Sequence, residues 1–127
     1  MDLMPIVAIL EAANVGVRGQ SIFIAAMPVT CKKGILFRDN AAGSKIDWNL
    51  PGYYKTSFTG IARAQTYEDC NSLILAASQA LTINVDFQVP NSYLIRRILP
   101  MNLPNIYPLS DGVYFESSVR YEIVVNT

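Results

Sequence analysis

An α+β domain, with a mixed or mainly antiparallel sheet of about four to five strands flanked by two helices, is the fold class that this sequence predicts. Two stretches with helical spacing stand far apart in the chain. Segments of period-two alternation lie between and after them, and the last of these runs unbroken over residues 113–125. The chain has 127 residues, which fits one domain spanning 1–127; such a domain buries roughly two-thirds of the surface its unfolded chain exposes.

The first helix carries Leu3, Ile6, Val7 and Leu10 at helical spacing, with Asp2 as N-cap and Pro5 in the first turn, and it stops near Asn14 or Gly16. Residues 21–26 then read as a strand stopped by Pro28, and residues 34–38 as a second short strand. Residues 39–52 have the Gly, Asn and Pro content of a loop, yet they contain Ile46, Trp48 and Leu50, which do not suit water. Residues 53–64 alternate, with Tyr54, Thr56, Phe58, Gly60 and Ala62 on one face and Lys55, Ser57, Thr59 and Arg63 on the other. The second face is expected to be solvated or to face a polar lumen. Thr66-Tyr67-Glu68-Asp69 opens the second helix, Thr66 capping the first amides and Asp69 favouring the positive end of the dipole. Behind it, Tyr67, Cys70, Leu73, Ile74, Ala77 and Leu81 form one apolar stripe over about four turns.

Residues 91–99 supply another strand, whose buried face the pattern leaves undecided. Residues 100–112, with Pro100, Pro104 and Pro108, read as a loop ending in the turn signal Ser110-Asp111-Gly112. The final strand sets Val113, Phe115, Ser117, Val119, Tyr121, Ile123 and Val125 against Tyr114, Glu116, Ser118, Arg120, Glu122 and Val124. At about 3.3 Å per residue it spans roughly 40 Å, more than the diameter of about 36 Å for a compact domain of this size. It is therefore expected to bend, bulge or project, leaving amides free to pair with a neighbour. No internal repeat or low-complexity tract interrupts this order.

Hydrophobic residues make up 51% of the chain and charged residues 16%, against about 25% charge in an average soluble domain. With a mean hydropathy of +0.25 and no membrane-length apolar run, the excess apolar surface is left either for contact with other protein or for a merely sticky exterior. Ten basic and ten acidic residues cancel, so no global field draws the chain to nucleic acid or to an anionic membrane. The N-terminal Met1-Asp2-Leu3-Met4-Pro5 lacks the basic and apolar regions of a secretory signal, which points to a cytosolic folding compartment. Cys31 and Cys70, without a CxxC motif, read as two reduced thiols, a single disulfide being the minority alternative.

Catalytic patterns are missing. The sequence contains no histidine, which removes the commonest general base and transition-metal ligand, and it has no phosphate loop, GxSxG or HExxH. Glu68 and Asp69 belong to a helix start, and Glu116 and Glu122 lie some 20 Å apart along one strand face, too far for a two-carboxylate mechanism. Cys70 sits on the apolar stripe, and Cys31, beside Lys32 and Lys33, has no base in any recognisable pattern near it. No enzyme activity and no cofactor are expected. Lys32-Lys33 and Arg96-Arg97 would ordinarily be solvated charge pairs, but in a ring the same residues would repeat around the axis and line a channel that tolerates passing DNA.

From about Gly52 onward the layout resembles the tail terminator family of tailed bacteriophages, also described as tail completion or minor capsid proteins. The resembling residues are Gly52-Tyr53-Tyr54-Lys55-Thr56-Ser57-Phe58, Ile61-Ala62-Arg63-Ala64, Thr66-Tyr67-Glu68-Asp69, Arg96-Arg97-Ile98-Leu99-Pro100, Tyr107-Pro108-Leu109-Ser110-Asp111-Gly112 and the run from Phe115 to Glu122. Residues 17–48 match no part of that pattern. The resemblance implies a structural virion protein of the tail and neck, assembled in the host cytoplasm. It implies a homo-oligomer, a hexameric ring on the head-proximal end of the tail tube, touching the tail tube protein, the sheath or tube end and a neck or head connector protein. DNA would pass transiently through its channel, and no membrane would be involved. On this reading Ile46, Trp48 and Leu50 in one loop, and Leu103, Ile106 and Tyr107 in the other, are subunit-interface candidates. Trp48 has a competing role of equal weight, as a lid folded back on its own core. Other connectors of similar build, such as a head completion, tail tube or baseplate subunit, fit the same features. So does, with less support, a small-molecule-binding α+β domain using residues 39–52 as a lid.

Overall fold

The structure, a computed structural model, describes residues 1–109 and 113–127. The turn signal at Ser110-Asp111-Gly112 lies outside the described residues. Helix α1 spans Met4–Ala12 and buries Pro5, Ile6, Val7 and Leu10. Its N-cap is Leu3 rather than Asp2, and no side chain bonds there. Asp2 acts one residue upstream, its Oδ1 accepting the Met4 N–H at 2.9 Å, so one of the orphan amides of the first turn is still satisfied by a carboxylate. The helix stops where Asn14 takes φ 59° and donates its N–H to the Glu11 carbonyl at 3.1 Å.

Helix α2 spans Tyr67–Leu81. Thr66 caps it as expected, with Oγ1 accepting the Asp69 N–H at 3.1 Å, and Cys70, Leu73, Ile74, Ala77 and Leu81 are buried. Tyr67 departs from the expected stripe. It stands exposed at the first position and meets Phe115 edge-on, with ring centroids 6.3 Å apart.

The described strands are β1 Ile22–Ile24, β2 Gly34–Asp39, β3 Tyr53–Ala64, β4 Phe87–Gln88, β5 Leu94–Pro100, β6 Asn105–Pro108 and β7 Phe115–Asn126. They form one sheet of seven strands, ordered β1-β2-β3-β7-β5-β4, with β6 beside β7. The β1–β2 pair is parallel and the other named pairs are antiparallel, so the sheet is mixed. The α+β class with two helices stands, and the strand number of four to five is corrected upward. The additional strands are β4, only two residues long, and β6, which ends in Pro108 inside the proline-rich run that reads as a loop in sequence. β1 is shorter than the apolar run around it, because Ala25 turns to φ 68° and the Ala26 N–H folds back on the Ile24 carbonyl at 2.8 Å.

The last strand does not project. β3 matches it over all its residues, from Tyr53 opposite Asn126 to Ala64 opposite Phe115. On its other side β6 pairs with Phe115 to Ser118, and β5 with Tyr121 to Asn126. Between them the Asn102 side chain continues the ladder, Oδ1 accepting the Arg120 N–H at 2.9 Å and Nδ2 donating to the Ser118 carbonyl at 3.4 Å. The diameter of a spherical domain does not limit this strand, since a pair of equally long strands sets its own long dimension of about 40 Å. The irregularity falls on β5 instead, as a bulge between Ile95 and Arg97.

One sheet face lies under the helices and carries Ile35, Phe37, Phe58, Ala62, Ile95, Ile98, Val119, Tyr121, Ile123 and Val125, all buried. Phe58 stacks on Tyr121 at 5.1 Å and meets Phe37 edge-on at 5.9 Å. Gly60 makes room for these rings: a Cβ there would stand 3.1 Å from both Phe37 and Tyr121. The Tyr121 hydroxyl and Ser78 share a 2.9 Å hydrogen bond that ties α2 to the sheet. Among the described elements no helix covers the opposite face.

Candidate assembly surfaces

Residues 40–50 form a loop held by its own short turns. Asp47 Oδ1 accepts the Asn49 N–H at 2.9 Å, and the Leu50 and Tyr53 amides donate to the Asp47 and Leu50 carbonyls, each at 3.1 Å. This scaffold points the apolar side chains outward. Trp48 is 85% exposed, and Ile46 and Leu50 are exposed beside it. The lid reading of Trp48 therefore fails, because an indole folded on its own core would be covered. Between this loop and the start of β3 lies an open groove of about 550 Å³, lined by Lys45, Ile46, Trp48, Tyr53 and Lys55 among others.

The second trio of interface candidates divides. Leu103, in the link between β5 and β6, is 87% exposed. Ile106 points the other way, opposite Ser117, and packs against the core. Tyr107 is half-buried opposite Glu116, and its hydroxyl donates to Glu116 Oε1 at 3.4 Å. Burial first, and then the neighbouring Glu116 carboxylate, push the Tyr107 phenol above its ordinary pKa. Met101, two residues before Leu103, is exposed and borders a groove with Lys45, Lys55 and Glu122, so both apolar loops flank the uncovered sheet face.

The channel candidates are not brought together within one chain. Lys32 and Lys33 are exposed just ahead of Gly34, which stands opposite Arg63, whereas Arg97 stands opposite Val124, itself opposite Lys55. Eight positions of β3 separate these ends, about 26 Å. Arg96 pairs with Asp86 at 2.5 Å and donates to Asn126 Oδ1 at 3.0 Å, and Arg97 pairs with Glu122.

Three other cations lie outside the channel candidates, although Lys55 is on the β3 face expected to be solvated or to face a polar lumen. Arg38 and Arg120 both stand opposite Thr59, and Lys55 lies two pairs further along the same face. None of the three is in an ion pair among the described residues. Their signal was present in the alternation of the two long strands, but it required the β3–β7 register to read.

The groups that chemistry would need are engaged elsewhere. The Cys70 thiol is fully buried, donates to the Ala62 carbonyl at 3.6 Å, and is pushed up to about 11 by burial and, secondarily, by Glu116. Cys31 is half-buried and also free, so no disulfide joins the two. Glu116 forms an ion pair with Arg63 at 3.2 Å, and Glu122 with Arg97. Among the described residues no cluster of three metal-binding side chains occurs, and no helix is long and apolar enough to cross a membrane.

Residues 9–127 match the family described as bacteriophage tail terminator protein. The chain belongs to that family. The match takes in residues 17–48, in which no resemblance was legible, and it leaves out only the first turn and a half of α1 and what precedes it. This tail terminator family member is also similar in fold to a chain of the solved structure described as the virion of a native gene transfer agent particle. The TM-score is 0.72 at 12% identity, and the likeness covers 96% of this chain and 92% of that one. No curated protein matches it. The protein is a structural component of the virion tail.

Proposed function

We propose that copies of this chain close into a ring, hexameric as the resemblance implies, which caps the head-proximal end of the tail tube and joins it to the neck. The ring leaves an axial channel for the genome and performs no chemistry of its own. The outward-facing apolar loops carry the reading: Trp48 and Leu103 are both more than four-fifths exposed in a chain with only 16% charged residues. An exposed tryptophan is a common anchor of protein interfaces, and exposed apolar patches around it mark contact surfaces. A heterologous contact of about 800 Å² or more on each partner, closing by rotation, would cover them.

Sizing chromatography with light scattering tests this. A closed hexamer has a mass of about 84 kDa, six times the 14.0 kDa of one chain. Persistence of the single-chain mass at high concentration overturns the ring, and a mass that grows without limit assigns the chain to an open tube instead.

A further inference from the structure

The uncovered sheet face is basic although the chain as a whole is neutral. Cross-strand register places Arg38, Lys55, Arg63, Arg97 and Arg120 on it against two carboxylates, Glu116 and Glu122. Both carboxylates are already matched, to Arg63 and Arg97. The nearby Asp39 carboxylate is held by the Met1 amine at 2.6 Å. Among the described residues three positive charges thus remain without an ion-pair partner. Arg38 and Arg120 are two ladder steps apart, about 10 Å, and Lys55 is about 13 Å along the strand from the row they share.

Their setting is built rather than incidental. The Arg120 guanidinium donates to Ser57 Oγ through Nη2 at 3.1 Å and Nε at 3.3 Å. The same oxygen accepts from Asn40 Nδ2 at 3.3 Å, and Ser57 is itself shielded from solvent. The guanidinium is thereby fixed at the edge of a hollow of about 340 Å³, whose lining includes Arg38, Asn40, Ser57 and Thr59. Asp39 also lines the hollow, but its carboxylate is already paired with the Met1 amine, and the hydroxyl, amide and guanidinium donors around it suit phosphate oxygens.

We infer that this face binds the phosphodiester backbone of double-stranded DNA, with Arg38, Arg120 and Lys55 as its contact residues, and that it is the face turned toward the channel. The inference rests on the ring reading for the orientation, while the binding surface itself exists on every chain. Duplex DNA presents one phosphate per 3.4 Å of axis on each strand, so a patch of about 10 by 13 Å meets about three of them. Contacts of this sort read no sequence and allow sliding, as a passing genome requires.

The test is fluorescence anisotropy of the full chain with a labelled duplex of arbitrary sequence, between 20 and 200 mM NaCl, with mass measured on the same samples. Three neutralised phosphates give a log–log salt slope of about −2.7 per engaged subunit. Arg38→Ala/Arg120→Ala is expected to flatten that slope by about 2, while Lys32→Ala/Lys33→Ala leaves it unchanged. If the double variant fails to fold, Arg38→Ala serves alone, since its side chain makes no hydrogen bond or ion pair among the described residues. The single change is expected to flatten the slope by about 1. Absent binding at 20 mM salt, or an unchanged slope, overturns the inference. Displacement of the duplex by millimolar inorganic phosphate at constant ionic strength overturns it in favour of a free-anion site. Wild-type protein that ignores DNA, with a double variant that loses the ring, overturns it in favour of an acidic protein partner. A single-chain mass with the expected slope change sinks the ring and keeps the phosphate surface, so the two readings fail separately.

Discussion

Replacing Trp48 by alanine separates assembly from folding. The indole is 85% exposed and held on a loop whose turns are made by Asp47, Asn49, Leu50 and Tyr53, so truncation removes almost nothing from the folded chain. A tryptophan buries about 150–250 Å² when covered, and at about 25 cal/mol/Å² the exposed share is worth about 3–5 kcal/mol to a partner surface. Ordering the side chain takes back about 1 kcal/mol, which leaves about 2–4 kcal/mol for each contact between subunits. The dissociation constant of that contact is therefore expected to rise about 30- to 700-fold. Light scattering along a dilution series reads this as ring mass lost at higher concentration than for the wild type. Urea unfolding of the dissociated chain reads the other half, with a stability change expected within about 0.5 kcal/mol. A ring mass unchanged on dilution, with a stability loss above 1 kcal/mol, would show that the indole serves its own core and would refute the reasoning.

Gly60→Ala is expected to destabilise the fold by about 1–2 kcal/mol, because the new methyl meets Phe37 and Tyr121 at 3.1 Å and both rings are locked against Phe58. An unchanged urea midpoint would show that the aromatic cluster yields. High pH should weaken the chain. The unfolded Cys70 thiol ionises near its ordinary value of 9.0 whereas the folded one holds its proton to about 11, so the unfolded state loses protons first and stability falls through that window. Tyr93 and Tyr121, also raised chiefly by burial, extend the fall upward, and a flat stability profile from pH 9 to 11 would contradict both. In the native chain at pH 8 only about one Cys70 in a thousand is thiolate, so a thiol reagent should modify Cys31 first and Cys70 only on unfolding.

What was legible in the sequence is what short-range physics writes there. The Thr66 cap, the α2 stripe from Cys70 to Leu81 and the full extent of β3 depend on neighbours within a few residues, and the structure reproduces them. Misreadings cluster where a partner distant in sequence decides. The partners of β7 are β3, β5 and β6, and without that pairing its length looked like an overhang. Leu103 and Ile106 have the same apolar character and lie three residues apart, yet one faces water and the other the core, because Ile106 lies in β6, opposite Ser117 of β7, and Leu103 lies ahead of that strand. The basic face escaped notice for the same reason: Arg38, Lys55 and Arg120 lie far apart in sequence and meet only through two strand registers.

The central position of β7 carries a consequence for biosynthesis. It divides the sheet into β1-β2-β3 on one flank and β4, β5 and β6 on the other, and it is the last described element to leave the ribosome. Until it emerges, the edge of β3 on one flank and the edges of β5 and β6 on the other lack the strand that pairs with them. The sheet is thus expected to close only after residues 115–126 have emerged from the ribosome, so a chain stalled before them would lack its central strand.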